Sequence, residues 1–198
     1  MKYHSKPKVK HINDIDNINL TIDANRSLII EAECINSPNY DLRPENTEIN
    51  LLVIHGISLP PGEFLPRSEK YIKDLFSNQL DPNIHPYFKT IMDLKVSCHC
   101  LIMRSGKLLQ FVPFKYRAWH AGKSDFKGRE NCNDFSIGIE LEGSDDMPYT
   151  NIQYQVLKSV INAIQTVYPL IKSHRIVGHS DIAPNRKTDP GKYFNWDW

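Results

Sequence analysis

Two extended runs joined by a tight turn constrain the fold of this chain most. They lie within residues 95–111 and meet at Ser105-Gly106, a pattern typical of a β-hairpin. A hairpin requires an antiparallel pair of strands. Elsewhere strands and helices are interleaved along the chain, which favours a layered α/β arrangement. The sequence therefore predicts an α/β fold in which a central mixed β-sheet is flanked by helices.

Two more strands and a helix follow from the apolar periodicity. Residues 49–54 form an apolar run that ends at His55, which indicates a buried strand delivering a histidine at its end. Residues 135–141 alternate between apolar and other side chains, so Glu140 is expected on the face opposite the apolar ones. A capping box followed by one apolar stripe predicts a helix over residues 151–167.

The length and the charge of the chain limit its function classes. The 198 residues include 24 Lys and Arg against 23 Asp and Glu, a formal net charge of +1. A chain of this size buries about 70% of its surface on folding, so one domain forms without disulfide or metal staples. Dedicated nucleic-acid binders usually carry a basic excess. We therefore expect a single globular domain with no nucleic-acid partner.

Features of the sequence also bear on the compartment. The first twenty residues contain no apolar run of the length that a signal peptide needs. The longest aliphatic stretches are three or four residues, so we expect no membrane insertion. Four cysteines form no C-x-x-C pair and are expected to be reduced: Cys34, Cys98, Cys100 and Cys132. The expected location is the cytoplasm.

The histidines are the most informative residues for chemistry, because imidazole is both a zinc ligand and a general acid or base. His55, at the end of a strand and before a proline-rich loop, is well placed for a functional site. For His85, His99 and His120 a structural role as hydrogen-bonded, half-buried side chains is favoured. Common signatures such as G-x-S-x-G, H-E-x-x-H and G-x-G-x-x-G do not occur in the sequence.

The segment 178–191 is dense in polar groups, with a histidine, two aspartates, an arginine and a lysine. Pro184 disfavours a continuous helix, so a stiff loop must bring Asp189 back toward His179. One interpretation is a charged, solvated surface loop. The other is a carboxylate and an imidazole that share a metal with a distant histidine and leave the fourth tetrahedral position to water.

Three segments together resemble a known family: residues 51–55 (LLVIH), 133–143 (NDFSIGIELEG) and 178–191 (GHSDIAPNRKTDPG). The chain is similar to the zinc N-acetylmuramoyl-L-alanine amidases of peptidoglycan recycling. That family is related to phage lysozyme-type amidases and to peptidoglycan recognition proteins. The likeness runs in collinear order from about residue 37 to the C-terminus, about four fifths of the chain.

The resemblance implies a zinc-dependent hydrolase and assigns its residues. Zn²⁺ would be bound by His55, His179 and Asp189, while Glu140 and Lys187 match the catalytic pair of the family. The reaction would be hydrolysis of the amide between the lactyl group of 1,6-anhydro-N-acetylmuramic acid and L-alanine. Zinc lowers the pKa of its water and polarises the carbonyl, Glu140 would transfer the proton, and Lys187 would stabilise the oxyanion.

The same resemblance suggests how an anhydromuropeptide substrate is held. Tyr87 and Trp119 match aromatic residues of the substrate cleft, although isolated aromatic residues more often belong to a core. Arg186 and Lys187 would form a cationic patch beside the zinc, where an anionic muropeptide would bind. Residues 26–198 are expected to form the amidase domain, and residues 1–25 an N-terminal extension that is poorly ordered.

Two other functions on this fold stay open at this point. One is a non-catalytic muropeptide receptor, against which the complete set of ligands and catalytic residues argues. The other is a phage-type endolysin amidase that attacks intact cell wall, against which the missing signal peptide and wall-binding module argue. We expect no obligate protein partner in the favoured case.

Overall fold

The structure, a computed structural model, describes residues 18–198. The strands are β1 (Ile22–Asp23), β2 (Leu28–Ile29), β3 (Glu33–Cys34), β4 (Tyr40–Asp41), β5 (Leu51–Ile57), β6 (Cys100–Ile102), β7 (Leu108–Gln110), β8 (Arg117–Ala118), β9 (Asp125–Phe126), β10 (Arg129–Glu130), β11 (Ser136–Glu142) and β12 (Ile176–Gly178). The helices are α1 (Ser68–Phe76), α2 (Phe88–Ile91), α3 (Asn151–Val167) and α4 (His179–Ile182). Short 3₁₀ turns lie at Cys132–Asp134 and Ser173–Arg175.

Six of these strands form one sheet in the order β12-β5-β11-β6-β7-β3. The pairs β12–β5, β5–β11, β11–β6 and β7–β3 are parallel, whereas β6 and β7 are antiparallel. The antiparallel pair is the predicted hairpin, and Gly106 takes a positive φ of 85° at its turn. The predicted mixed sheet is therefore confirmed.

The two faces of the central strands have different neighbours. On β11, Ile137, Ile139 and Leu141 pack with α3 in the largest core cluster. The intervening residues face the other side, where the remaining core clusters include residues of α1, α2 and α4. The strand alternation predicted for residues 135–141 is confirmed, and it places Glu140 on the face away from α3.

The predicted helix over residues 151–167 has the same bounds in the structure. Its capping box is complete: the side chain of Thr150 accepts from the backbone of Gln153, whose side chain accepts from the backbone of Thr150. The predicted strand over residues 49–54, with His55 at its end, lies about two residues later in the structure, because β5 runs from Leu51 to Ile57. His55 thus lies inside β5, two residues before its end.

The chain before the sheet forms a small antiparallel hairpin of β1 and β2. Ile18, Leu20 and Ile22 pack against the largest core cluster. The expected extension of residues 1–25 lies for the most part outside the described residues, and its boundary near residue 26 stays a prediction. No helix within residues 18–198 has the length and apolar character that crossing a membrane would require.

Candidate metal centre and active site

His55, His179 and Asp189 meet at one end of the main sheet. Gly178, the last residue of β12, pairs with Ile54 of β5, so the residues that follow them, His179 and His55, bring two imidazoles to the same place. The Nδ1 atoms of His55 and His179 are 2.9 Å apart, and each lies 3.1 Å from Oδ2 of Asp189. These atoms form a group that could hold a metal ion.

A folded-back loop delivers Asp189. The backbone N–H of Ser180 donates to the carbonyl of Asp189 at 3.0 Å, and the Tyr149 hydroxyl donates to the carbonyl of Pro190 at 2.9 Å. Tyr149 and Pro190 are both buried. The loop is therefore fixed at Asp189 and at the residue that follows it, which matches the stiff return expected between Pro184 and Asp189.

The two histidines are shielded from solvent, and Asp189 is half-buried. His55 and His179 are 1% and 3% exposed. Burial lowers the pKa of His55 to about 4, although contact with Asp189 opposes this shift. Burial alone would raise the pKa of Asp189, but the two imidazoles outweigh it and hold that pKa well below the usual range. His55 is thus neutral and Asp189 is charged near neutral pH, the forms in which these groups bind metals.

The donor set fits a zinc ion. Nε2 of His179 lies 3.1 Å from the carbonyl of Ala121, which can only accept. The guanidinium of Arg186, which can only donate, is farther from this nitrogen at 3.4 Å and donates to the same carbonyl at 2.6 Å. The shorter contact therefore assigns the proton to Nε2 and the lone pair to Nδ1. Two nitrogens and a carboxylate oxygen therefore converge on one point. Neighbouring ligand atoms in a tetrahedral zinc site lie about 3.3 Å apart, given bonds of about 2.0 Å. The separations here, 2.9 and 3.1 Å, are close to that spacing.

Glu140 lies beside His55, because the parallel pairing of β11 and β5 places these two residues at the same level. Its Oε2 atom is buried and has no hydrogen-bond partner among the described residues. Burial raises the pKa of Glu140 well above its usual range, the negative charge of Asp189 raises it further, and Lys187 opposes both. An unpaired acid of this kind is equipped to exchange a proton with a bound molecule.

A cavity of about 710 Å³ opens in front of these groups. It is large enough for a ligand of several sugar or amino-acid units. Its lining includes His55, Tyr87, Glu140, His179, Lys187 and Asp189. The candidate ligands and the candidate catalytic pair therefore share one cavity.

The residues expected to bind substrate are placed differently from one another. Tyr87 lines the cavity and is 38% exposed. The lining residues of the described chain do not include Trp119, which instead helps to lower the pKa of Asp41. Arg186 donates to the carbonyls of Ala121 and Lys123 at 2.6 and 2.7 Å and borders a second cavity of about 400 Å³. The substrate roles of these residues stay predictions.

The structure adds His120 to this region, a residue to which the sequence assigned only a structural role. Nδ1 of His120 lies 2.9 Å from Nε2 of His55. The expected hydrogen bonding is present, but its partner is a candidate metal ligand. The sequence feature that could have indicated this contact is the series Ser136, Gly138 and Glu140 on one face of β11. Two small residues beside an acid leave room there for the ring of another side chain.

Comparison with known proteins gives the family. The sequence profile of the N-acetylmuramoyl-L-alanine amidases matches residues 45–192. A relative from Haemophilus influenzae, the 1,6-anhydro-N-acetylmuramyl-L-alanine amidase AmpD, is 53% identical over 175 residues, which cover 88% of this chain and 94% of the relative.

Solved structures agree with the sequence comparison. A selenomethionine derivative of AmpD superposes with a TM-score of 0.83 at 54% identity, covering 87% of this chain and 94% of that one. The Escherichia coli amidase AmiD, solved with anhydro-N-acetylmuramic acid-L-Ala-D-γ-Glu-L-Lys, gives a TM-score of 0.55 at 30% identity and covers 78% of this chain and 58% of that one. From the shared fold, the matched profile and the similarity along most of its length, this chain belongs to the N-acetylmuramoyl-L-alanine amidase family.

Proposed function

We propose that this amidase uses zinc to hydrolyse the amide between the lactyl group of 1,6-anhydro-N-acetylmuramic acid and L-alanine in muropeptides. The observation that carries the proposal is the convergence of His55, His179 and Asp189 in the cavity that also contains Glu140 and Lys187. The similarity to AmpD over most of both chains supports this substrate. Muropeptides of this kind arise in the turnover of peptidoglycan.

His55, His179 and Asp189 would hold the ion. Two imidazoles and one carboxylate are a ligand set of catalytic zinc sites, which keep one position open. Zinc bound there would act as a Lewis acid on the scissile carbonyl and lower the pKa of water. The enclosure of both histidines keeps their rings in fixed positions, so the ligand atoms need little rearrangement on binding.

Glu140 would move the proton during hydrolysis. As carboxylate it accepts a proton from the attacking water, and as carboxylic acid it returns that proton to the nitrogen of the departing L-alanine. Its raised pKa favours this exchange near neutral pH, because the two protonation states are then closer in free energy. No residue of the described chain hydrogen-bonds its Oε2, so this oxygen is not committed to another protein group.

Lys187 would stabilise the negative charge that develops on the carbonyl oxygen. It lines the cavity with Glu140 and Asp189, and it is exposed, so its ammonium group can reach a bound substrate. Removal of one such stabilising group typically lowers the rate about 100- to 1,000-fold. Tyr87, at the rim of the same cavity, would stack on the sugar.

We also propose that the enzyme acts in the cytoplasm. Cys34, Cys98, Cys100 and Cys132 are all free, and reduced cysteines are typical of that compartment. The absence of an obligate protein partner and of a nucleic-acid partner remains a prediction from the sequence.

Comparison of two substrates tests the reaction against the endolysin and receptor alternatives. The purified protein is incubated with 1,6-anhydro-N-acetylmuramyl peptide and with intact peptidoglycan sacculi, and released peptide is quantified by mass spectrometry. We expect rapid release from the soluble anhydromuropeptide and slow release from sacculi. Faster release from sacculi would support the endolysin function, and binding of the anhydromuropeptide without release would support the receptor.

A further inference from the structure

A directed chain of hydrogen bonds leads from the protein interior to the candidate metal ligand His55. Nε2 of His55 lies 2.9 Å from Nδ1 of His120, and Nε2 of His120 lies 3.1 Å from the hydroxyl of Ser136. That hydroxyl lies 2.5 Å from the carbonyl of Cys132. All four residues are buried, so no solvent competes for these contacts.

The chemistry of the last link sets the direction of the others. A carbonyl oxygen can only accept, so the single hydroxyl proton of Ser136 is used on Cys132. Ser136 must therefore accept from Nε2–H of His120. A neutral imidazole carries one proton, so Nδ1 of His120 presents a lone pair and accepts from Nε2–H of His55. His55 is left with its lone pair on Nδ1, the atom that faces His179 and Asp189.

The strand beneath His120 is built to admit its ring. A Cβ atom added to Gly138 would lie only 2.4 Å from Cγ of His120, closer than side-chain atoms can approach. Gly138 has no positive φ, so steric room rather than backbone conformation explains the glycine. Ser136 and Gly138 lie on the same face of β11 as Glu140. Ser136 accepts a hydrogen bond from the imidazole of His120, and Gly138 leaves room for that ring.

We propose that His120 is a positioning residue, which fixes the tautomer and the ring orientation of His55 so that Nδ1 is the metal-binding atom. This role rests on the proposed zinc site. It goes beyond that site because it identifies the hydrogen-bonded groups that fix the tautomer of one ligand, His55. The tautomer of His179 is set by a single contact, with the carbonyl of Ala121. Partners of this kind typically change metal affinity 10- to 100-fold when they are removed.

Two variants of His120 separate positioning from packing. H120L keeps much of the volume and removes the acceptor, whereas H120N retains an oxygen acceptor close to the place of Nδ1. Zinc affinity is measured on the full chain by competition with a chelating indicator, and the ligand field by the visible spectrum of the cobalt(II) form. We expect about 10- to 100-fold weaker zinc binding and altered cobalt bands for H120L, and recovery of most of both in H120N.

H99Q is the control at a neighbouring buried histidine: His99 hydrogen-bonds none of the three ligands, although its ring centroid lies 5.8 Å from that of His120. Its zinc affinity and cobalt spectrum should equal those of the wild type. If H120L does not fold, S136A tests the proposal in its place. S136A keeps His120 but removes the hydroxyl that hydrogen-bonds its ring, and it should therefore weaken zinc binding. Unchanged zinc affinity and an unchanged cobalt spectrum in H120L, or in S136A where H120L fails, would overturn the proposal. A wild type that binds no zinc would instead contradict the proposed function, and with it this role.

Discussion

The side chain of Glu140 points away from the α3 face of the sheet, and one of its carboxyl oxygens is buried. Alternation along β11 turns its side chain away from the apolar residues that pack on α3. The fold then encloses Oε2 without a hydrogen-bond partner from residues 18–198. A buried carboxyl oxygen without a partner costs stability, so its presence beside candidate metal ligands points to a catalytic use.

Replacement of Glu140 by glutamine should remove proton transfer and leave the site otherwise intact. We expect E140Q to lower kcat by about 10²- to 10⁴-fold, because the amide cannot accept and return the proton. Zinc content and thermal stability should change little. E142Q is the matched control on the same strand face, where the side chain of Glu142 accepts from the backbone N–H of Arg104. Comparable loss of activity in both variants would show that the effect is structural.

His99 should make the stability of the protein depend on pH. Both of its nitrogens are used inside the core: Nδ1 accepts from the N–H of Gly138 and Nε2 donates to the carbonyl of Tyr116. Burial lowers the pKa of His99 to about 3, from an ordinary value of 6.5. Its contribution to stability is therefore complete above pH 6.5 and is lost progressively as the pH falls toward 3.

Replacement of His99 by glutamine tests this dependence, because the amide can accept and donate in place of the ring but does not titrate. Between pH 4 and 6.5, the free energy of unfolding of H99Q should fall less on acidification, by up to about 1.4 kcal/mol per pH unit. Urea unfolding of both proteins across this range measures the difference. Equal slopes would mean that His99 accepts a proton without cost in the folded state.

Residue types, their order and the family resemblance predicted the members of the candidate site but not the contacts between them. His55 could be placed at a strand end, and the dense segment 178–191 suggested a loop that turns back. That Asp189 reaches both imidazoles depends on Tyr149, which is 40 residues earlier in the chain and anchors the loop. Similarly, His120 contacts His55 only because β11 lies between their segments and leaves room for the ring.

At the level of elements, predictions succeeded where the periodicity was long enough. The helix α3 and the strand β11 span many residues with one consistent pattern, and the hairpin of β6 and β7 has a glycine at its turn. Strands of two residues, such as β4 and β8, contain too few positions to show alternation. Their pairing depends on tertiary contacts, so the sequence could not reveal them.

The N-terminal cap of α3 should contribute measurably to stability. Thr150 completes the capping box, and its hydroxyl also donates to the carbonyl of Arg104 in the hairpin. We expect T150A to lower the free energy of unfolding by about 1 kcal/mol, as measured by urea denaturation. T166A, on the exposed surface of the same helix, is the control and should have little effect. Equal stability of T150A and T166A would contradict the contribution of the cap.

At the scale of the whole molecule, the candidate ligands join separate parts of the chain. His55 belongs to β5, His179 begins α4, and Asp189 lies in the loop that follows. An ion bound only by the folded state stabilises it by mass action, so zinc should raise the midpoint of thermal unfolding. Net charge and composition contain no sign of this centre, because its charged groups are few and local.

Zinc titration of the chelator-treated protein tests the central claim most directly. Peptide release from 1,6-anhydro-N-acetylmuramyl-L-Ala-D-γ-Glu-L-Lys is followed as zinc is added back, with D189A as the variant that lacks one ligand. We predict that the zinc-free protein is inactive, that activity rises to a plateau at one zinc per chain, and that D189A stays inactive at that ratio. Full activity of the zinc-free protein would contradict the proposed mechanism.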